Sequence, residues 1–256
     1  MKFEIIDKKK RDIFIYIFNH LKNFTDKLTL NISPEKLHIQ GMDNSHICIY
    51  ELFLQSDWFD TWEVNESDNF GIYLPTFNKI LHICSEKQTI NIHNNNDDNA
   101  LLNIFFTSDE KGEFNKFFQI PLMDIDTDML AIPDTEYEVD IEIDSKKIKS
   151  LIDELSNFND ILNIICNEEE IILESTSDEG SMKAIINIDD IEVLAVIEDI
   201  TVESSFSIKY ISQMCQFYKI ANKCEIHISN EIPLLFKLDI DNESLIRFYV
   251  APKIKD

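Results

Sequence analysis

Residues 70–93 read FGIYLPTFNKILHICSEKQTINIH, and residues 206–229 read FSIKYISQMCQFYKIANKCEIHIS. Each opens on an alternating strand, passes to apolar residues at helical spacing and closes on a second alternating strand. The same succession recurs further out. Phe3–Ile6 alternates, residues 8–22 carry Ile13, Phe14, Ile17, Phe18 and Leu21 on one helical face, and LTLNIS, KLHIQGMD and HICIYELFL follow as strands. In the second half VDIEID precedes a helical pattern over 145–156, with Ile148, Leu151, Ile152 and Leu155, before ILNIIC and EEIILES. Helices are therefore expected over 8–22, 76–84, 145–156 and 207–223. Solenoid repeats have periods of about 20–50 residues, so a duplication this long means two similar domains. Their expected bounds are 1–120 and 139–256. Between them QIPLMDIDTDMLAIPDTEYE, with Pro121 and Pro133, suits neither a helix nor a central strand and reads as a connector over 121–138. HNNNDDN (93–99) and TSDEKGE (107–113) read as turns.

The chain has 256 residues, 44% of them hydrophobic, enough for a packed core despite 23 Lys+Arg against 48 Asp+Glu and a net charge of −25. No run approaches the ~20 apolar residues of a membrane-spanning helix, so no membrane role is expected. The N-terminus has acids among its first residues and no small-residue cleavage site, which argues against a signal peptide. The five cysteines are widely spaced without C-x-x-C, the pattern of small buried hydrophobes in a reducing compartment. Gly41, Gly71, Gly112 and Gly180 stand alone. Phosphate-binding loops, dinucleotide folds and nucleophile elbows, which need clustered glycines, are excluded. Asp124, Asp126 and Asp128 have the spacing that opens a calcium loop, but Met129 and Thr135 occupy the glycine and glutamate positions of that motif. No H-x-x-x-H pair occurs. Neither catalytic residues nor a metal or cofactor is expected.

Charge is segregated. The four expected helices hold Lys8, Lys9, Lys10, Arg11, Lys22, Lys79, Lys146, Lys147, Lys149, Lys209, Lys219 and Lys223, against only Asp12, Asp153 and Glu154. One such helix would be an ordinary solvated face. Four of them, in an acidic chain, point to a polyanion, because distant acids are screened within a Debye length of about 8–10 Å.

At GMDNSHICIYELFL (41–54), PLMDIDTDMLAIPDTEYE (121–138) and the C-terminal NEIPLLFKLDI and LIRFYVAPKIKD, the sequence resembles the DNA sliding clamp family typified by proliferating cell nuclear antigen. With the duplication and SDWFDTWEV, the likeness covers residues 3–254. It implies an α+β fold of two similar clamp domains, each with helices on one face of antiparallel sheets, six domains forming a trimeric ring. The function implied is that of a non-enzymatic processivity factor in DNA replication and repair. The partners implied are double-stranded DNA held without sequence readout, DNA polymerase and other proteins with a clamp-binding peptide, and a clamp loader. The place implied is the nucleus, or a viral replication site. The twelve bases named above would face phosphates. Ring contacts would pair the strand near Glu113–Ile120 with that near Ser181–Ile188 of a neighbour. The partner peptide would meet Met42, His46, Ile47, Ile49, Leu130, Ile132, Pro133, Tyr137, Ile232, Pro233, Tyr249, Val250, Ala251, Pro252 and Ile254. At Ile15, Tyr16, Ser150 and Asp153 the family's basic residues are missing, and its modification lysine is Glu168 here.

The runner-up is a monomeric or dimeric clamp-fold polymerase accessory subunit. From another class, an acidic protein-interaction module explains the net charge but not its segregation. A carboxylate-dependent hydrolase has no motif to support it.

Overall fold

The computed structural model describes residues 1–94, 100–125, 129–187 and 190–254. The chain forms two compact units, one of Met1–Asn44, Glu51–Leu130 and Ile240–Leu245, the other of Ser45–Tyr50, Ala131–Asp239 and Ile246–Asp256. Along the chain come β1 (Lys2–Ile5), α1 (Lys8–Leu21), β2 (Lys27–Ile32), β3 (Lys36–Met42), β4 (Cys48–Gln55), β5 (Thr61–Glu63), β6 (Asp68–Tyr73), α2 (Leu74–Leu81), β7 (Thr89–His93), β8 (Leu101–Thr107) and β9 (Lys116–Pro121). Then follow β10 (Val139–Asp144), α3 (Ser145–Leu155), β11 (Ile161–Cys166), β12 (Glu170–Ser177), β13 (Gly180–Asn187), β14 (Val193–Val196), β15 (Val202–Ser207), α4 (Ile208–Cys215), β16 (Lys223–Ile228), β17 (Leu234–Asp241) and β18 (Ser244–Val250).

The duplication is visible in strand order. The first unit has the orders β5-β1-β7-β8-β9 and β6-β2-β3-β4; the second has β14-β10-β16-β17-β18 and β15-β11-β12-β13. Each strand of the second unit matches the one nine places earlier. The pairing is antiparallel, with β1 between β5 and β7 as β10 lies between β14 and β16. Among the outer strands, β9 borders the first unit's five-stranded sheet, and β13 borders the second unit's four-stranded sheet.

Local chemistry explains both helix starts. The side chains of Asp7 and Asp144 accept hydrogen bonds from the Lys10 and Lys147 main-chain N–H groups, satisfying donors that have no partner within the helix. Phe14, Phe18 and Phe77 then pack α1 against α2, with Phe18 and Phe77 ring centroids 5.0 Å apart. In β10, Val139, Ile141 and Ile143 are buried while the residues between are not, the period of a half-buried strand. All five cysteines are free thiols. Burial pushes Cys166 and Cys224 up to about 12, so these thiols stay protonated and inert.

Two expectations need correction. The helix expected over 207–223 is shorter: α4 ends at Cys215 and tightens into a 3-10 turn over Gln216–Lys219. The turn sends Phe217 into the core against Phe248, 5.0 Å away. Lys223 therefore belongs to β16, opposite Asp144. The central residues of HNNNDDN, and Asp126 and Asp128 of the acidic triplet, lie outside the described residues.

Gly71 does more than its isolation in the sequence suggests. The Met123 N–H donates to the Gly71 carbonyl at 2.8 Å. A Cβ on Gly71 would stand 2.2 Å from the Met123 carbonyl oxygen, so the connector begins where only a glycine allows two backbones to meet.

Candidate functional site

The helical bases divide into three groups. Lys9, Lys79, Lys146, Lys147 and Lys209 are exposed, and Lys10 is half-buried; among the described residues none of these six forms an ion pair. Lys209 lies over the Tyr210 ring at 5.5 Å. Others are engaged but reachable. Lys8 pairs with Glu86 at 2.7 Å, Lys22 donates to Asn19, Lys149 pairs with Asp153 one turn on, and both Lys149 and Lys219 lean over the Tyr218 ring at 5.8 Å. The Asp153 hydrogen bond raises the Lys149 pKa. Exposed pairs of this kind contribute under about 1 kcal/mol and exchange readily for another anion.

Arg11 does not fit its expected role, and Lys223 lies on a strand rather than a helix. Arg11 is 3% exposed. Its guanidinium donates to the Glu86 and Gln88 carbonyls at 2.6 and 3.0 Å and pairs with Asp12, so its donors are spent inside the fold. Lys223, at the head of a strand, is held between Glu142 and Glu192, whose hydrogen bonds raise its pKa to about 12.

The helix ends carry the electrostatic signal. None of the four helices has an acid in its first turn. Lys8, Lys9, Lys10, Lys146 and Lys147 sit instead beside the positive pole of a helix dipole, where a cation is unfavourable by about 0.3–1 kcal/mol. The cap carboxylates of Asp7 and Asp144 offset part of that cost.

The connector is fastened at separate points. Within the first unit Leu130, 38% exposed, is bound by the Gln40 amide, while Met42 is half-buried at the end of β3. Within the second unit the Tyr137 hydroxyl donates to the Pro233 carbonyl at 3.2 Å, and the Glu138 N–H donates to Ser229 Oγ at 2.8 Å. Burial, with Tyr249 nearby, pushes the Tyr137 phenol up to about 12, so it remains a donor at any physiological pH. His227 stands behind it, ring centroids 5.5 Å apart, with Asp140 and Glu225 on its two nitrogens. Between these fastenings Ile132 is half-buried and Pro133 exposed.

The C-terminal tail runs alongside in the same unit. Ala251 N–H donates to the Ile47 carbonyl at 3.0 Å and Lys253 N–H to the Ser205 carbonyl at 2.7 Å, leaving Ile254 92% exposed. Ile47, Ile49, Ile232, Tyr249, Ala251 and Pro252 are half-buried; Pro233 and His46 are exposed, His46 with a φ of 57° that turns its loop. Val250 is fully buried and belongs to the core, because alternation along β18 turns it inward. Beside the tail a cavity of 520 Å³ is lined by Glu203, Ser205, Asn230, Glu231 and Pro252. The sequence reading missed its polar wall, and Gln40, because hydrophilic residues in strands carry no pattern that marks them.

Comparison with known proteins agrees with this geometry. The family model "Proliferating cell nuclear antigen, N-terminal domain" matches residues 6–130, and "Proliferating cell nuclear antigen, C-terminal domain" matches residues 131–253. The proliferating cell nuclear antigen of Caenorhabditis elegans is 28% identical over 94% of this chain and 93% of its own. That of Chaetomium thermophilum is 26% identical over 94% of each. The DNA polymerase sliding clamp of Thermococcus onnurineus is 25% identical over the full length of both. Family models cover both halves, the two units repeat one strand order, and on these grounds the chain belongs to the proliferating cell nuclear antigen family of DNA sliding clamps.

Proposed function

We propose that this chain acts as a homotrimeric sliding clamp, a ring that a clamp loader closes around duplex DNA and that tethers a polymerase by a peptide. The family's clamps are scaffolds and processivity factors rather than enzymes. The observation that carries the reading is the set of exposed lysines on the four helices, whose first turns hold no acid beyond the caps Asp7 and Asp144, in a chain where acids outnumber bases about two to one. Lysines held against the helix dipole suit phosphates that are touched loosely and without sequence readout, as sliding requires. An acidic remainder repels DNA that is not threaded.

The ring would close through β9 and β13 of adjacent copies. Both are outer strands, and both show apolar side chains to solvent: Phe117 is 64% exposed and Ile185 52%. An outer strand with exposed apolar residues calls for a partner strand. Ile188, at the end of the segment expected to pair, lies outside the described residues. The domains proposed are 1–120 and 139–256 joined by 121–138, and the peptide would lie along the connector and tail, in the nucleus or at a viral replication site. Light scattering tests the assembly: three times the 30.0 kDa of one chain is expected, falling to one chain for Phe117→Asp or Ile185→Asp. A wild-type mass of one or two chains would exclude the ring. Primer extension on circular DNA tests the function, long products being expected only with the clamp and its loader.

A further inference from the structure

We infer that Gln40 is the latch of the connector, a positioning residue for peptide docking; the inference rests on the reading of the connector as the partner site. Gln40 lies on β3 two residues before Met42. Its Oε1 accepts the Leu130 N–H at 2.6 Å, and its Nε2 donates to the Leu130 carbonyl at 2.9 Å. One side chain thereby satisfies both main-chain groups of a residue that has no strand beside it, acting as a single rung of a sheet. The same Nε2 donates to Glu51 Oε1 at 3.0 Å, which fixes the end of the amide that carries the hydrogens. Glu51 is itself buried, 3% exposed, with His38 Nε2 at 3.4 Å and the His38 ring stacked on Phe53 at 4.3 Å. The latch is braced from beneath and has little room to swing.

The consequence is that Leu130 is held in place on β3. Met123 is fastened at Gly71 and Leu130 at Gln40. With its N–H and carbonyl both turned to Gln40, Leu130 keeps its side chain partly exposed, and Ile132 follows two residues later. A partner peptide that meets Leu130 already held by Gln40 does not bear the cost of ordering it. The occupant is an extended peptide with apolar anchors, and the latch sets its affinity without touching it.

The test uses the full-length protein and the C-terminal tail peptide of its replicative polymerase. Gln40→Ala should speed hydrogen exchange at the Leu130 amide and weaken the peptide about tenfold, with the melting temperature almost unchanged. Gln40→Glu should be at least as weak, since its carboxylate faces Glu51 and has no hydrogen for the Leu130 carbonyl. Adding Glu51→Gln should restore much of the Leu130 protection and part of the affinity, because an amide then donates to the new carboxylate. Unchanged Leu130 exchange in Gln40→Ala overturns the latch. Faster exchange with unchanged affinity overturns the positioning role, as does a large fall in melting temperature with normal affinity in the folded fraction. A wild-type protein that keeps Leu130 protected but binds no peptide overturns the reading of the connector, and the positioning role with it.

Discussion

Helices α1 and α3 occupy equivalent places in the two units, each opened by an aspartate cap, yet the residue four places past that cap is Arg11 in one and Ile148 in the other. Both are buried, 3% and 4% exposed. Ile148 meets this position as any aliphatic residue does. Arg11 meets it by extending its guanidinium to the Glu86 and Gln88 carbonyls, so that a charged residue caps main-chain groups beneath a helix. The difference teaches that Lys8, Lys9, Lys10 and Arg11 are not one charged patch. Helical geometry takes the fourth inward, whatever its chemistry.

The largest effect should come from breaking that pair. Arg11→Glu puts a buried carboxylate against two carbonyls that have lost their donor and should destabilise by about 3–5 kcal/mol, the cost of an uncompensated buried charge. Ile148→Ala should cost about 2–4 kcal/mol through the cavity it leaves. Lys9→Glu, two residues away on the exposed face, should stay within about 0.5 kcal/mol. Thermal melting measures all three. An Arg11→Glu protein that melts like the wild type but no longer stays on DNA would put Arg11 back among the groups that touch phosphate.

The symmetry of the exposed lysines can be tested next. Lys9→Glu with Lys79→Glu in the first unit, or Lys146→Glu with Lys147→Glu and Lys209→Glu in the second, should each abolish retention on circular DNA and leave the oligomer's mass alone. Each lysine withdrawn from a phosphate should flatten the slope of log K against log salt by about 0.9. If only one of the two sets matters, the duplicated fold does not carry a duplicated DNA surface.

The connector is where the repeat ends. It follows β9 as the tail 251–254 follows β18, but it continues for a further stretch before β10 and exposes Leu130 and Pro133 on the way. Ile132→Ser with Tyr137→Ala should weaken a polymerase tail peptide at least tenfold, since each apolar anchor buried there contributes about 1.5–3 kcal/mol. The melting temperature should fall by only a few degrees, because Ile132 is half-buried before any partner arrives. Normal binding by the double variant would move the peptide elsewhere.

How far the sequence could be read follows from what periodicity encodes. The duplication was legible because apolar alternation and helical spacing recur in the same order, and those patterns are the cause of β1, α1, β10 and α3. The inward turn of Arg11 was legible too, on the same face as Phe14 and Phe18, but its charge drew the reading outward. Val250 likewise alternates with half-buried neighbours along β18. Gln40, Gly71 and Ser205 were not legible. Their roles depend on which backbone comes to lie beside them, and Met123, Leu130 and Lys253 are distant in sequence. The shortness of α4 was hidden for a similar reason, since Phe217 answers to Phe248 on another element.

The smallest effect concerns Tyr137, the connector's hold in the second unit, and it is read against pH. Burial raises its phenol to about 12, above the ordinary value near 10, because the ionised form would lose water and face Tyr249. The sign follows from linkage. The unfolded chain ionises this tyrosine first, so its contribution to stability is whole below about pH 10 and is lost as pH rises from there to about 12. The ring is only half covered, and solvent screening holds the change to under about 1 kcal/mol. Ultraviolet titration should show Tyr137 among the phenols that ionise late, and Tyr137→Phe should lower the amplitude of the late step by one phenol. The same variant should flatten the alkaline fall in melting temperature and loosen Pro233, whose carbonyl loses its donor. If the late amplitude is unchanged in Tyr137→Phe, Tyr137 ionises with the exposed phenols, and burial against the connector's hold in the second unit is not what keeps it neutral.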